Sequence, residues 1–137
     1  MITQINHIGI AVSNLEEHIP FYRDVLKLDF KGKDEVPDQK VKVAMFRIGE
    51  VQIELLEPTS PESPIAKFIE KKGEGIHHIA YQTDAIESDI REFISKNIQM
   101  IDEKPRSGAH NSKIAFLHPK SSGRVLTEIC QVHEKVK

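Results

Sequence analysis

At 137 residues, with 39% apolar and 29% charged side chains, the chain is sized for one domain and is neither disordered nor collagen-like in composition. Nineteen Lys and Arg against twenty-one Asp and Glu leave a net charge of -2, which offers no bulk basic field for nucleic acid or an anionic membrane. The apolar runs are too short to span a bilayer, the opening residues lack a charged segment followed by an apolar one, and the single Cys130 excludes an internal disulfide framework, so a cytoplasmic, reducing compartment is expected.

Alternation over 4–12 predicts a first strand, with Ile5, Ile8, Ile10 and Val12 apolar and β-prone. Ser13 opens a capping box with Glu16, and the helix expected over 14–26 carries Leu15, Ile19, Tyr22, Val25 and Leu26 on one stripe. Pro20 falls inside that stripe, where it removes a backbone donor and should kink or divide the helix. Strands are expected around 28–34, 40–48 and 50–57. The turn-rich stretch from Pro58 to Pro64 leads into a short helix over 65–71, closed by Gly73-Glu74-Gly75. A strand at 76–83, a helix at 85–96 capped by Asp84, and strands near 98–104, 112–118 and 124–131 complete the chain.

The second series restates the first. A displacement of 71 positions puts His7-Ile8-Gly9-Ile10 on His78-Ile79-Ala80-Tyr81, Ile19 on Ile90 and Tyr22 on Phe93. It also puts Lys42-Val43-Ala44-Met45-Phe46 on Lys113-Ile114-Ala115-Phe116-Leu117. Past the loop at 118–123 the offset grows to 74, which matches Glu54 with Glu128. The expected fold class is α+β. Two tandem βαβββ modules, about 4–58 and 76–132 with a linker at 59–75, should form one curled-sheet domain around a cleft.

Strand alternation puts Ile8, Ile10 and Val12 on the helix side and His7, Gly9 and Ala11 on the other. In the repeat, Ile79 and Tyr81 oppose His78, Ala80 and Gln82. Glu54 and Glu128 each lie in an apolar strand, where an unpaired buried carboxylate costs several kcal/mol. One divalent cation would offset both costs. Two imidazoles and two carboxylates suit a borderline ion such as Co, Ni, Mn, Fe or Zn, and in an octahedron they leave two adjacent positions for water or a bidentate substrate. Taken singly, a strand histidine is ordinarily a hydrogen-bonded core residue and a strand glutamate ordinarily solvated. Their recurrence at matched positions is what favours a metal centre.

At these residues the chain resembles the vicinal-oxygen-chelate superfamily (glyoxalase I, bleomycin-resistance proteins, extradiol dioxygenases), and within it the methylmalonyl-CoA epimerases. The resemblance runs from about Ile5 to Gln131. It rests on Asn6-His7-Ile8-Gly9-Ile10-Ala11-Val12, Ile53-Glu54-Leu55-Leu56-Glu57-Pro58, Ser63-Pro64-Ile65-Ala66-Lys67-Phe68, Gly73-Glu74-Gly75-Ile76-His77-His78-Ile79-Ala80 and Phe116-Leu117-His118-Pro119-Lys120-Ser121. His118-Pro119-Lys120 stands where glyoxalase I usually carries an Asp-Pro-Asp-Gly turn.

The resemblance implies a homodimer whose metal ligands are His7, Glu54, His78 and Glu128, with His77 structural. It implies epimerisation of methylmalonyl-CoA by 1,1-proton transfer through a metal-stabilised enediolate, with an acyl-CoA substrate chelating through two oxygens. Inversion needs a base on one face and an acid on the other. Glu128 is the candidate for one. Lys42, aligned where some epimerases carry a Glu, is the candidate for the other if burial and the cation lower its pKa. Two departures stand out: Gly108-Ala109-His110-Asn111-Ser112 is less Gly-rich than the family loop, and Thr127 replaces an aliphatic residue. Two alternatives are a glyoxalase-I-type lactoylglutathione lyase and a metal-free, resistance-type binding protein. Cys130 reads as a small buried filler.

Overall fold

Alternation at the start of the chain builds a ten-residue strand, β1 (Ile2–Ala11), in a computed structural model that describes residues 1–133. Contacts divide the chain into two units: His7–His77 is one, and Met1–Asn6 with the residues from His78 is the other. β1 therefore contributes to both.

In the unit His7–His77, the later residues of β1 run parallel to β4 (Val51–Pro58), and β4 pairs antiparallel with β3 (Val41–Ile48) and β3 with β2 (Asp29–Val36). The order is β2-β3-β4-β1. One face of this ladder packs Val12, Ala44, Phe46 and Leu55 against Leu15 and Ile19 of α1 (Leu15–Pro20), with Ile10, Ile53 and Tyr22 around them. Phe46 is fully buried, its ring 5.1 Å from Phe30 and 5.5 Å from Tyr22. The other face packs Ala11, Val41, Val43 and Leu56 against Ile65 and Phe68 of α2 (Pro64–Lys72). Ser63 caps α2 by accepting from the Ile65 N–H, and Pro64 takes the first helical position, where its missing donor costs nothing.

The first helix is divided at Pro20, as expected. Pro20 has no N–H to offer the carbonyl four residues back, and α1 ends at that residue. The chain continues through a wide turn over Phe21–Val25, in which the Leu26 N–H donates to the Phe21 carbonyl. The cap is also displaced by one residue. Asn14, not Ser13, accepts from the Glu17 N–H, while the Ser13 N–H is taken by Glu74 and the Leu15 N–H by Glu57.

In the other unit, Met1–Asn6 of β1 lies beside β5 (Gly75–Thr83), with the Asn6 amide donating to Gln82. β5 runs parallel to β8 (Thr127–Gln131), which pairs antiparallel with β7 (Lys113–Leu117). The order is β1-β5-β8-β7-β6. One face packs Ala115, Leu117 and Ile129 against Ile86 and Ile90 of α3 (Ile86–Ser95). The other clusters Ala80, Ile114 and Cys130 beside Phe116, so Cys130 is a buried packing residue.

Two local expectations fail here. The strand expected at 98–104 is not formed: β6 is only Arg106–Ser107, and Met100 makes an isolated bridge to Leu117. Both the Ile101 and Asp102 N–H groups converge on the Phe116 carbonyl, while the Asp102 carboxylate accepts the Phe116 N–H, so side chain and doubled bond replace a ladder. Asp84 does not cap α3 either. Thr83 Oγ1, two residues back, accepts from the Ala85 N–H and the distant Gln131 Oε1 from the Ile86 N–H, so one local and one remote side chain satisfy the helix start. Each half nonetheless carries the βαβββ order, and the fold is α+β as expected. Among the described residues no helix is long and apolar enough to cross a membrane.

Candidate metal centre

Glu54 stands opposite Gly9 on β1 and Met45 on β3, so its side chain shares a face with His7, two residues before Gly9. His7 Nδ1 lies 3.4 Å from Glu54 Oε2, and their side chains are 10% and 15% exposed. Gly9 and Ala11 between the strands leave little side-chain bulk over this pair, while α2 covers the far end of the same face.

Glu128 stands opposite Ala80 on β5 and Phe116 on β7, and its face is therefore that of His78. His78 Nε2 lies 3.4 Å from Glu128 Oε1, and their side chains are 7% and 6% exposed. The Phe116 ring meets the His78 ring nearly at right angles, at 5.7 Å. The matched positions of the repeat thus become two His–Glu pairs built the same way, a histidine on one strand and a glutamate on its parallel neighbour; His7, His78 and Glu128 are buried and Glu54 is half-buried.

Do these residues suit a cation? Burial pushes His7 down to about 4, so its imidazole is neutral and keeps a lone pair to donate. Burial also pushes Glu54 up to about 7, the mark of a carboxylate whose charge lacks compensation. A divalent ion bound by neutral imidazole and carboxylate would relieve that penalty, and His7, His78 and Glu128 are all buried residues offering one donor atom each. The donor set fits.

His77 is turned to the other face, its ring edge-on to Phe68 at 5.0 Å, and burial holds it down to about 4. Lys42 does not share the Glu54 face. It stands opposite Glu57, and the same face carries Ala44, Phe46 and Leu55 under α1; the Lys42 side chain is exposed there. On β3 the Glu54 face carries Val41, Val43, Met45 and Arg47 instead. An aligned position one residue away changes face because the strand period is two.

A cation that the sequence reading passed over lies on the Glu128 face. Arg106 stands opposite Ile114, whose side chain shares that face with Phe116 and Glu128. Its guanidinium carbon sits 5.4 Å from the Phe116 ring centre, and its Nε lies 3.3 Å from Asp102. The only sequence signal was a basic residue just after Pro105, which no spacing distinguishes from a solvated one. The loop that follows also finds its reason. His110 and Asn111 adopt φ of 56° and 60°, the left-handed conformation that glycines favour, and Asn and His are among the side chains that tolerate it. Gly108 is required: a Cβ there would come within 2.5 Å of Ile114 Cγ2.

Comparison with known proteins adds the following. Residues 6–116 match the family model of the glyoxalase/bleomycin resistance protein/dioxygenase superfamily. The chain is 36% identical over 129 residues to the mitochondrial methylmalonyl-CoA epimerase of Homo sapiens, covering 93% of this chain and 73% of that protein. A methylmalonyl-CoA epimerase solved in complex with methylmalonyl-CoA and NH4+ is similar at a TM-score of 0.91 and 36% identity, covering 96% of each chain. A hypothetical protein of Bacillus halodurans C-125, known from its crystal structure, is similar at a TM-score of 0.95 and 49% identity over 98% of this chain and 97% of that one.

Proposed function

The chain belongs to the glyoxalase/bleomycin resistance protein/dioxygenase superfamily, and on that premise we propose that it epimerises methylmalonyl-CoA with one divalent cation held by His7, Glu54, His78 and Glu128. It is an isomerase of the methylmalonyl-CoA epimerase type, like the relatives it matches along nearly its whole length. The observation that carries the reading is the recurrence of a His–Glu pair on corresponding strands, His7 with Glu54 and His78 with Glu128.

When bound, the cation supplies Lewis-acid stabilisation of negative charge on the substrate's oxygens. Glu128 takes the proton from the carbon between carboxylate and thioester: the C–H bond breaks, and its electron pair moves toward the thioester oxygen. A proton from solvent delivered to the opposite face of that carbon, with Glu128 releasing its own to solvent, inverts it. His78, edge-on to Phe116, holds its ring against a rigid wall and so keeps the Glu128 side of the site in one geometry. Lys42 faces away from Glu54 and is left out of the mechanism; the Glu54 face of β3 offers no base at neutral pH.

The test is α-proton exchange. Metal-loaded protein, a chelated sample and Glu128→Gln are each incubated with methylmalonyl-CoA in D2O and followed by NMR. Metal-dependent exchange with racemisation that disappears in Glu128→Gln is expected. Absence of exchange in protein that holds its metal overturns the reading and directs attention to hemithioacetal substrates.

A further inference from the structure

Beyond the His78–Glu128 pair, the same face of β5-β8-β7-β6 carries a cation with no catalytic assignment. Arg106 comes from the two-residue β6 and lies across from Ile114, two residues before Phe116. Three contacts define where its charge sits. The guanidinium lies over the Phe116 ring at 5.4 Å, within the range of a cation–π contact. Phe116 in turn touches His78, so one aromatic ring separates Arg106 from a proposed metal ligand. The third contact is Asp102, whose Oδ2 accepts the Phe116 N–H at 2.9 Å and whose Oδ1 faces Arg106 Nε at 3.3 Å.

This arrangement orients the fork without using it up. The Asp102 carboxylate is pinned by a backbone donor and only 17% of its side chain is exposed, whereas Arg106 is 47% exposed. Its contact to Asp102 runs through Nε, and the terminal nitrogens make no hydrogen bond among the described residues. A planar pair of donors, held on an aromatic platform and open to solvent, matches the geometry of a carboxylate or phosphate. An arginine that served only to solvate the surface would need neither the platform nor the half-buried partner.

We propose that Arg106 is a substrate-binding residue that receives an anionic group of the acyl-CoA, its free carboxylate or one of its phosphates. The assignment rests on the epimerase reading given above. It makes Arg106 a determinant of affinity, not of proton transfer, because Glu128 and not Arg106 stands beside His78.

Arg106→Met and Arg106→Lys, each as the full metal-loaded chain, test it. Binding of three probes is measured by calorimetry: methylmalonyl-CoA, propionyl-CoA, which lacks the carboxylate, and the methylmalonyl thioester of pantetheine, which lacks the phosphates. Metal content, melting temperature, KM and kcat are measured alongside. Arg106→Met should raise Kd and KM for methylmalonyl-CoA about ten- to a hundredfold, the loss of a charge-assisted hydrogen bond, with kcat, metal content and melting temperature near those of the parent. Arg106→Lys should recover part of the affinity, since it keeps the charge but not the fork. Unchanged propionyl-CoA binding identifies the carboxylate as the partner; unchanged pantetheine-thioester binding identifies the phosphates. Equal affinity of Arg106→Met and parent for all three probes overturns the role of Arg106 alone. So does an equal loss for all three, which marks a structural residue. A metal-loaded parent that neither binds nor epimerises methylmalonyl-CoA overturns the epimerase reading, and the Arg106 role with it.

Discussion

The pairs His7–Glu54 and His78–Glu128 share a backbone plan and differ in what stands next to them. Both histidine–glutamate separations are 3.4 Å, but His7 presents Nδ1 to its glutamate and His78 presents Nε2. Across the next strand, Glu54 meets Met45 and Glu128 meets Phe116. The Met45 side leads to the apolar core under α2 at one end, with the exposed Arg47 at the other, and no aromatic ring carries that arginine among the described contacts. The Phe116 side leads to Arg106 and Asp102. On the reading proposed above, a repeated frame repeats the His–Glu donors while placing an anion-binding arginine in one half, because the neighbouring strand is free to vary once the pairs are set.

The sharpest way to test that asymmetry is to neutralise each glutamate. Glu128→Gln should cut α-proton exchange about 10²–10⁴-fold, the usual contribution of a positioned general acid–base group. Glu54→Gln should act mainly on metal content, with exchange restored in part by excess metal; equal exchange defects at saturating metal would erase the proposed difference. Next in size is a pH effect on the Glu54 side. Its pKa of about 7 in the metal-free protein is raised, so below about pH 7 a proton competes with the cation. Cation affinity should then fall as pH drops through 7, by up to about tenfold per unit if Glu54 alone competes. Glu54→Gln should flatten that slope.

Smaller effects probe the scaffolds. Gly108→Ala forces a Cβ to within 2.5 Å of Ile114 Cγ2 and 2.7 Å of Ser112 Oγ, and should destabilise by about 1–3 kcal/mol in denaturant unfolding. Asn14→Ala removes the side chain that accepts from the Glu17 N–H and should cost about 1 kcal/mol. In α3 the cap residue Ala85 has no such side chain, and Thr83 and Gln131 do that work from outside. The smallest effect belongs to Lys42→Met. Exposed and on the α1 face, this residue should leave kcat, KM and metal content within about twofold of the parent. A large fall in kcat with metal retained would restore Lys42 as a base.

How much of this was legible beforehand follows from the range of each signal. His7, Glu54, His78 and Glu128 stood out because a repeat doubles every local pattern. The faces of β1 and β5 followed from alternation along a single strand. Lys42 was misplaced because the face of a strand residue depends on which residue stands across from it, and a one-position slip reverses the answer. The strand expected at 98–104 failed for a related reason. Ile98 and Met100 do pack into the α3 core as β-prone residues should, but the backbone bonds go to a carbonyl and a carboxylate instead of a ladder.

By itself, then, the sequence determined the α+β repeat and the division of the first helix at Pro20, and it singled out the two matched His–Glu pairs proposed here as donors, all consequences of short-range periodicity and residue chemistry. Only the tertiary structure decided that Glu57 lies across from Lys42, that Gln131 reaches the start of α3, and that Arg106 rests on Phe116. Those contacts join residues brought together by strand register and loop closure. Register is settled by the packing of whole faces, which no local window of sequence contains.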